Sequence, residues 1–213
     1  MDPTDAPTAR PTEAPTLPPV FRPWPAAADG PFATACRFAT EGAEPGTLVH
    51  ADRRDRLDVA VVLAPDRPDA DRGIVAVTLV ALADALEALG PPNQTIQFDG
   101  RSGGAGRLML NGAVAGGVTV ALGPAAEDGI PAWAVVGAEL EVVGDPDDPD
   151  PGRRPDRTAL REEGFGETDA VAVLESFTRH FLTWIDLWME AGFEPVRQVW
   201  EKRLVPGEEE FRP

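Results

Sequence analysis

The chain has 213 residues, is 43% hydrophobic and carries a formal charge of −17 at neutral pH, so one sizeable core is within its means. That charge opposes nucleic acid and anionic membranes, since binding either requires positive groups that displace counterions. One cysteine, Cys36, excludes an internal disulfide and a cysteine metal cluster. The absence of a bilayer-length apolar run or a secretory signal makes the expected location cytoplasmic.

Residues 1–19 repeat Pro-Thr pairs, such as Pro3-Thr4, Pro7-Thr8 and Pro11-Thr12. Proline removes backbone donors, and no apolar period develops, so the segment is expected to be a disordered tail ahead of a single domain over 20–205. Residues 206–213 form a short acidic C-terminal tail. Val20 to Trp24 is apolar enough to begin packing on the domain. The spacing of Phe32, Cys36 and Ala39 predicts a helix over 32–40.

Leu48–Ala51 and Leu57–Ala64 read as strands joined by the charged turn Asp52–Arg56. The second is Val-rich and reads as a central strand buried on both faces. Ile74, Val77, Leu82, Leu86 and Leu89 predict a helix over 70–89, stopped by Gly90-Pro91-Pro92. Thr95–Phe98 and Arg107–Leu110 follow as strands around a glycine-rich segment, Gly100–Gly106. This segment lacks the lysine of a phosphate-binding loop. Asn111-Gly112 marks a tight hairpin, because both positions of a type I′ turn need positive φ. Its return strand, 114–122, contains Gly116-Gly117, the mark of a bulge or of close approach by another group. A strand over 133–143, an acidic loop over 145–157, and helices over 168–191 and 194–204 complete the order. Strand pair, helix, hairpin, strand, then helices is an α+β, mixed α/β arrangement rather than a regularly alternating nucleotide fold.

Several segments, in this order, resemble the biotin/lipoate protein ligases. Gly46–Asp52 is similar to the strand entering the family's Arg/Gly-rich loop. Asn111-Gly112-Ala113-Val114-Ala115-Gly116-Gly117-Val118 resembles its Asn-Gly-Lys-Lys-Val-Gly-Gly-Ile hairpin. Val135–Leu140 stands where a glycine-containing strand belongs, Thr158–Gly164 resembles a Thr-Ser-Leu segment, and Gly192-Phe193 with Trp200–Leu204 resembles the closing helix. The resemblance spans about residues 32–204. It implies a mixed β-sheet flanked by helices, a biotin-, lipoyl- or related acyl ligand, a biotinyl- or lipoyl-acceptor domain as partner, and pairing into a homodimer. For an active member it also implies ATP.

The chain departs from that pattern where the chemistry sits. Family ligases form an acyl-adenylate beneath the Arg/Gly-rich loop, with lysines facing the developing charge. Here the loop is the short Asp52–Arg56 turn, the Lys-Trp-Pro-Asn-Asp segment is replaced by Gln97–Ser102, and the hairpin lysine by Ala113. Loss of one pre-organised donor typically costs ~2.7–4 kcal/mol of transition-state stabilisation. The expectation is therefore a protein that binds the ligand or its carrier with adenylation lost or altered. The alternative is an active ligase or acyltransferase in which arginine replaces lysine.

Arg101 and Arg107 are the candidate catalytic cations. The ligand-binding candidates are Gly116 and Gly117, His50, Arg53 and Gly137, and no metal site is expected. Cys36 reads as a small core residue, and Lys202, the only lysine, lies away from the expected site.

Overall fold

A computed structural model describes residues 14–68, 70–101, 104–144 and 154–206. Most of the expected tail, most of the acidic loop and the C-terminal acidic stretch lie outside the described residues. The elements are β1 (Arg22–Pro25), α1 (Pro31–Thr40), β2 (Thr47–His50), β3 (Arg56–Leu63), α2 (Ala70–Leu89), β4 (Ile96–Arg101), β5 (Ala105–Leu110), β6 (Ala113–Leu122), β7 (Ala134–Glu141), α3 (Ala170–Ala191) and α4 (Glu194–Arg203). The strands form one mixed sheet in the order β1-β2-β3-β7-β6-β5-β4. Among these strands only the pair β1 and β2 runs parallel.

The sheet's two faces are covered unequally, and that difference makes the site. On one face lies α2, in which nearly every residue from Gly73 to Leu86 is buried. Such an all-round apolar helix must be covered on every side. Here the sheet lies beneath it, α3 beside it and α4 at its end. Glycine at position 73 admits Trp188, whose indole would stand 2.3 Å from an added Cβ. Asp169 caps α3, its carboxylate accepting from the Ala172 amide at 3.0 Å. Phe98 of β4 stacks on Trp200 of α4 with ring centroids 4.9 Å apart.

Among the described residues the opposite face has only the helix α1, ten residues long and so about 15 Å. Ala35 and Ala39 seat it on Val49, Ala60, Val62 and Val135 of β2, β3 and β7, a second and smaller core. Cys36 packs at the margin of this core, and burial pushes its thiol pKa up. The rest of that face, over β5, β6 and the adjoining ends of β3 and β7, is left uncovered by α1.

Four details differ from the sequence expectation. The strands β4 and β5 run through most of the glycine-rich segment, pairing Gly100 with Gly106 and Arg101 with Ala105. That segment is therefore largely paired strand rather than a loop able to cradle phosphate. A further strand, β1, forms at the sheet edge despite two prolines, because Arg22 and Ala26 donate to the Gly46 and His50 carbonyls. And β3 is buried on both faces only from Val59 to Val62, where Val59 and Val61 enter the main core and Ala60 and Val62 the smaller one; at its start Arg56 and Asp58 turn to the open side. Of the stretch read as tail, the Thr16 amide donates to Glu175 at 2.7 Å and Leu17 packs on the main core.

Candidate ligand site on the open sheet face

Residues opposite one another in a sheet share a face. The register places Asp58 beside Glu139, Glu139 beside Gly117, Gly117 beside Arg107 and Arg107 beside Asp99. This row crosses five strands on the side that α1 leaves open. The next row carries Ala60, Gly137, Thr119 and Ala105. Phe32 of α1 closes one end, its ring so near Gly137 that a Cβ there would meet it at 2.7 Å. The result is a cavity of ≈ 320 Å³, lined among others by Phe32, Asp58, Gly117, Gly137, Glu139 and Arg107, within the range of small-molecule sites.

The hairpin that forms the opposite wall owes its shape to a bulge. Asn111 (φ 51°) and Gly112 (φ 92°) make the turn with positive φ at both positions, as the sequence requires. Leu108 pairs with Gly116 but Met109 with Val114, so Ala115 is an extra residue. The bulge sends Ala115 into the core and leaves Val114 and Gly117 both lining the cavity. Ala113, by contrast, pairs with the buried Leu110, so the hairpin residue that meets the cavity is Val114. The two glycines have different reasons. A Cβ on Gly116 would stand 2.0 Å from the Glu139 carbonyl oxygen, so its lack of a side chain serves the approach of β7. Gly117 lies in the charged row itself.

Beside this cavity is a second, of ≈ 370 Å³, lined by Trp24, His50, Arg53, Leu174 and other residues; Arg56 and Asp58 belong to both. The sequence-predicted residues are thus divided. Gly116, Gly117, Gly137 and Arg107 line the first cavity, and His50 and Arg53 the second. His50 Nδ1 is 3.4 Å from the Ala51 carbonyl. Arg53 is engaged by Asp55, with Nε–Oδ1 at 3.0 Å, and that hydrogen bond raises its pKa. Arg101 ends β4 beside Ala105.

The electrostatics of the floor are unlike those of a site built for anions. Arg56 is held between Glu139 and, at 3.4 Å, Glu141. Its Nε is buried without a hydrogen-bond partner, a polar cost of that placement. Arg107 Nη1 lies 3.7 Å from Asp99. Burial, reinforced by Glu139, raises the Asp58 pKa, opposed by Arg56 and Arg53. Arg56, Asp58 and Glu139 were not singled out from sequence, although β3 and β7 both carry charged residues at alternate positions, in Arg56-Leu57-Asp58 and Glu139-Leu140-Glu141. That alternation marks a strand with one open face.

The model of the biotin/lipoate A/B protein ligase family matches residues 17–202. The chain belongs to this family. Among solved structures, a biotin protein ligase-like protein of unknown function from Silicibacter sp. is 33% identical, with 90% of this chain and 81% of that one covered at a TM-score of 0.78. The biotin protein ligase of Aquifex aeolicus is 17% identical over 79% of this chain and 71% of its own, at a TM-score of 0.62. The Leishmania major enzyme, solved with biotinyl-5-AMP, is 14% identical over 88% and 82%, at 0.58. These last two likenesses establish the fold. No curated protein matches the chain. The family assignment fits what the topology had shown: a mixed sheet with helices massed on one face and a cavity on the other.

Proposed function

We propose that this family member binds a biotin-, lipoyl- or related acyl-type ligand, or the carrier domain that bears it, without standard ATP-dependent adenylation. The observation that carries this reading is the pairing within the cavity floor. Arg56 and Arg107 are engaged by Glu139, Glu141 and Asp99, and the hairpin wall presents Val114. An acyl-adenylate develops negative charge on carboxylate and α-phosphate, and its stabilisation requires donors that are pre-organised and available. A floor whose two arginines are paired and which adds Asp58 leaves the cavity with Arg157 on its wall to answer a single negative charge, too little for a carboxylate and a triphosphate together. An uncharged acyl chain fits better, lying along Gly117 and beside Phe32 in ≈ 320 Å³.

The relatives' ligands support the choice of chemistry. The Aquifex aeolicus ligase has been solved with biotin and ATP and the Leishmania major one with biotinyl-5-AMP. ATP–pyrophosphate exchange with biotin, lipoate and octanoate, run beside thermal melts with each ligand, tests the reading. The expected result is stabilisation by at least one ligand with no exchange above the ligand-free control. Exchange with any of them would favour the second reading, an active ligase or acyltransferase that attaches the group to a lysine of an acceptor domain. For that reading Arg107 is the residue to mutate, since it lines the cavity from β5.

A further inference from the structure

We propose that Arg157 anchors the carboxylate end of the ligand in this cavity, an inference that rests on the acyl-binding reading above. Arg157 reaches the site from outside the sheet. The segment before α3 makes a parallel bridge with the hairpin, Arg157 opposite Val114. The Val114 amide donates to the Asp156 carbonyl at 2.8 Å, and the Thr158 amide donates to the Val114 carbonyl at 3.0 Å. Bridge partners share a face, so Arg157 stands on the open side with Val114, and both line the cavity.

The segment is fixed from behind as well. Thr158 Oγ1 donates to Glu163 at 2.6 Å, and Glu163 accepts from Asn111 Nδ2, also at 2.6 Å, tying the segment to the hairpin tip. Arg157 is therefore an exposed guanidinium on a held backbone at the cavity wall. It also differs from the other arginines of the cavity. Arg56 and Arg107 each have a carboxylate partner, whereas among the described residues Arg157 makes no ion pair.

A guanidinium takes a carboxylate through two parallel N–H···O bonds, a geometry suited to the end of an acyl chain. One such cation satisfies one carboxylate. It would not offset a triphosphate over a floor that already carries Asp58. The apolar chain would then run from Arg157 past Val114 to Gly117 and Phe32.

Isothermal titration of the full chain with octanoate, lipoate, biotin, octanamide and inorganic phosphate tests this assignment, using wild type, Arg157→Ala and Arg157→Lys. Arg157 is exposed, so both variants should melt as wild type. The expected result is that Arg157→Ala weakens the preferred carboxylate about tenfold or more, the scale of a charged hydrogen bond. Arg157→Lys should recover part of the loss. Octanamide, which has no charge to anchor, should bind wild type and Arg157→Ala alike. Equal carboxylate affinity in wild type and Arg157→Ala would overturn the assignment and leave the acyl-binding reading standing. Arg157-dependent binding of phosphate but not of carboxylates would also overturn it, making the site a phosphate site. Failure of wild type to bind any acyl compound would overturn the reading and this inference together.

Discussion

Phe32 and Gly137 fit against each other so closely that a Cβ on the glycine would stand 2.7 Å from the Phe32 ring. This contact sets where α1 starts on the sheet and where the cavity begins. Gly137→Ala should push the ring and the start of α1 away, costing about 1–3 kcal/mol, as overpacking of a close contact does. Truncating the ring should recover most of that cost, so Phe32→Ala/Gly137→Ala should be far from additive in urea denaturation. Additive effects would mean that the two residues do not compete for the same space.

A block of the cavity is better placed at Thr119 than at Gly117. A Cβ on Gly117 would meet the Gly106 carbonyl oxygen at 2.9 Å, so a side chain there disturbs β5 as well as the ligand. Thr119 is exposed, lines the same cavity and neighbours Gly137 in the register. Thr119→Phe adds bulk with good strand propensity. It should abolish stabilisation by the acyl ligand while leaving the ligand-free melting temperature within a few degrees of wild type. Undiminished ligand stabilisation in this variant would place the ligand elsewhere.

Asp58 makes the stability of the domain depend on pH in an unusual direction. Its folded pKa lies above the ordinary 3.8 through burial and then through Glu139. Between the unfolded and folded values the native chain holds more protons than the unfolded one, so stability falls as pH rises through that interval. Asp58→Asn removes the charge and should raise the melting temperature at pH 7. The gain should shrink towards zero below about pH 4, where the unfolded carboxyl is itself protonated. Because the side chain is only half-buried, solvent screening should hold the gain under ~1 kcal/mol. A neutral-pH loss of stability in Asp58→Asn would show that the carboxylate is stabilised by Arg56 more than burial disfavours it.

Legibility in the sequence followed how local the cause was. Helix α2 was readable from the spacing of Ile74, Val77, Leu82 and Leu86, and the hairpin from Asn111-Gly112, because a few neighbouring residues dictate each. Strand β1 was hidden because Pro23 and Pro25 argue against a strand unless the partner is known. The pairing of Arg56 with Glu139, 83 positions apart, depends on the register of β3 against β7, and no local pattern specifies that. Arg157 was hidden for a related reason. Its place at the cavity wall comes from a bridge to Val114, across 43 positions of sequence that include the whole of β7 (157 − 114). Gly116 and Gly117 look alike in sequence; only the register, which pairs Gly116 with Leu108 and Leu140 and Gly117 with Arg107 and Glu139, shows that the first admits the close approach of β7 and the second stands in the charged row.

The edges of the sheet bear on self-association. A strand edge with unpaired N–H and C=O groups invites pairing with a second copy. At β4, the chain itself occupies the edge: Phe98 bridges Leu204, and the Val205 amide donates to the Phe98 carbonyl at 3.0 Å. At β1, Arg22 and the following Ala26 send their amides to β2. Pro23 and Pro25 alternate with them, so the outward-facing nitrogens of β1 carry no hydrogen. A homodimer of this chain therefore should not form by extending the sheet through β1. In sedimentation equilibrium, Pro23→Val/Pro25→Val should associate more strongly than wild type, because the double substitution restores two outward donors on an edge already bearing the exposed Trp24. If the wild-type chain dimerises and the double variant does so no more tightly, its dimer contact lies on another surface, and the prolines have no part in limiting assembly.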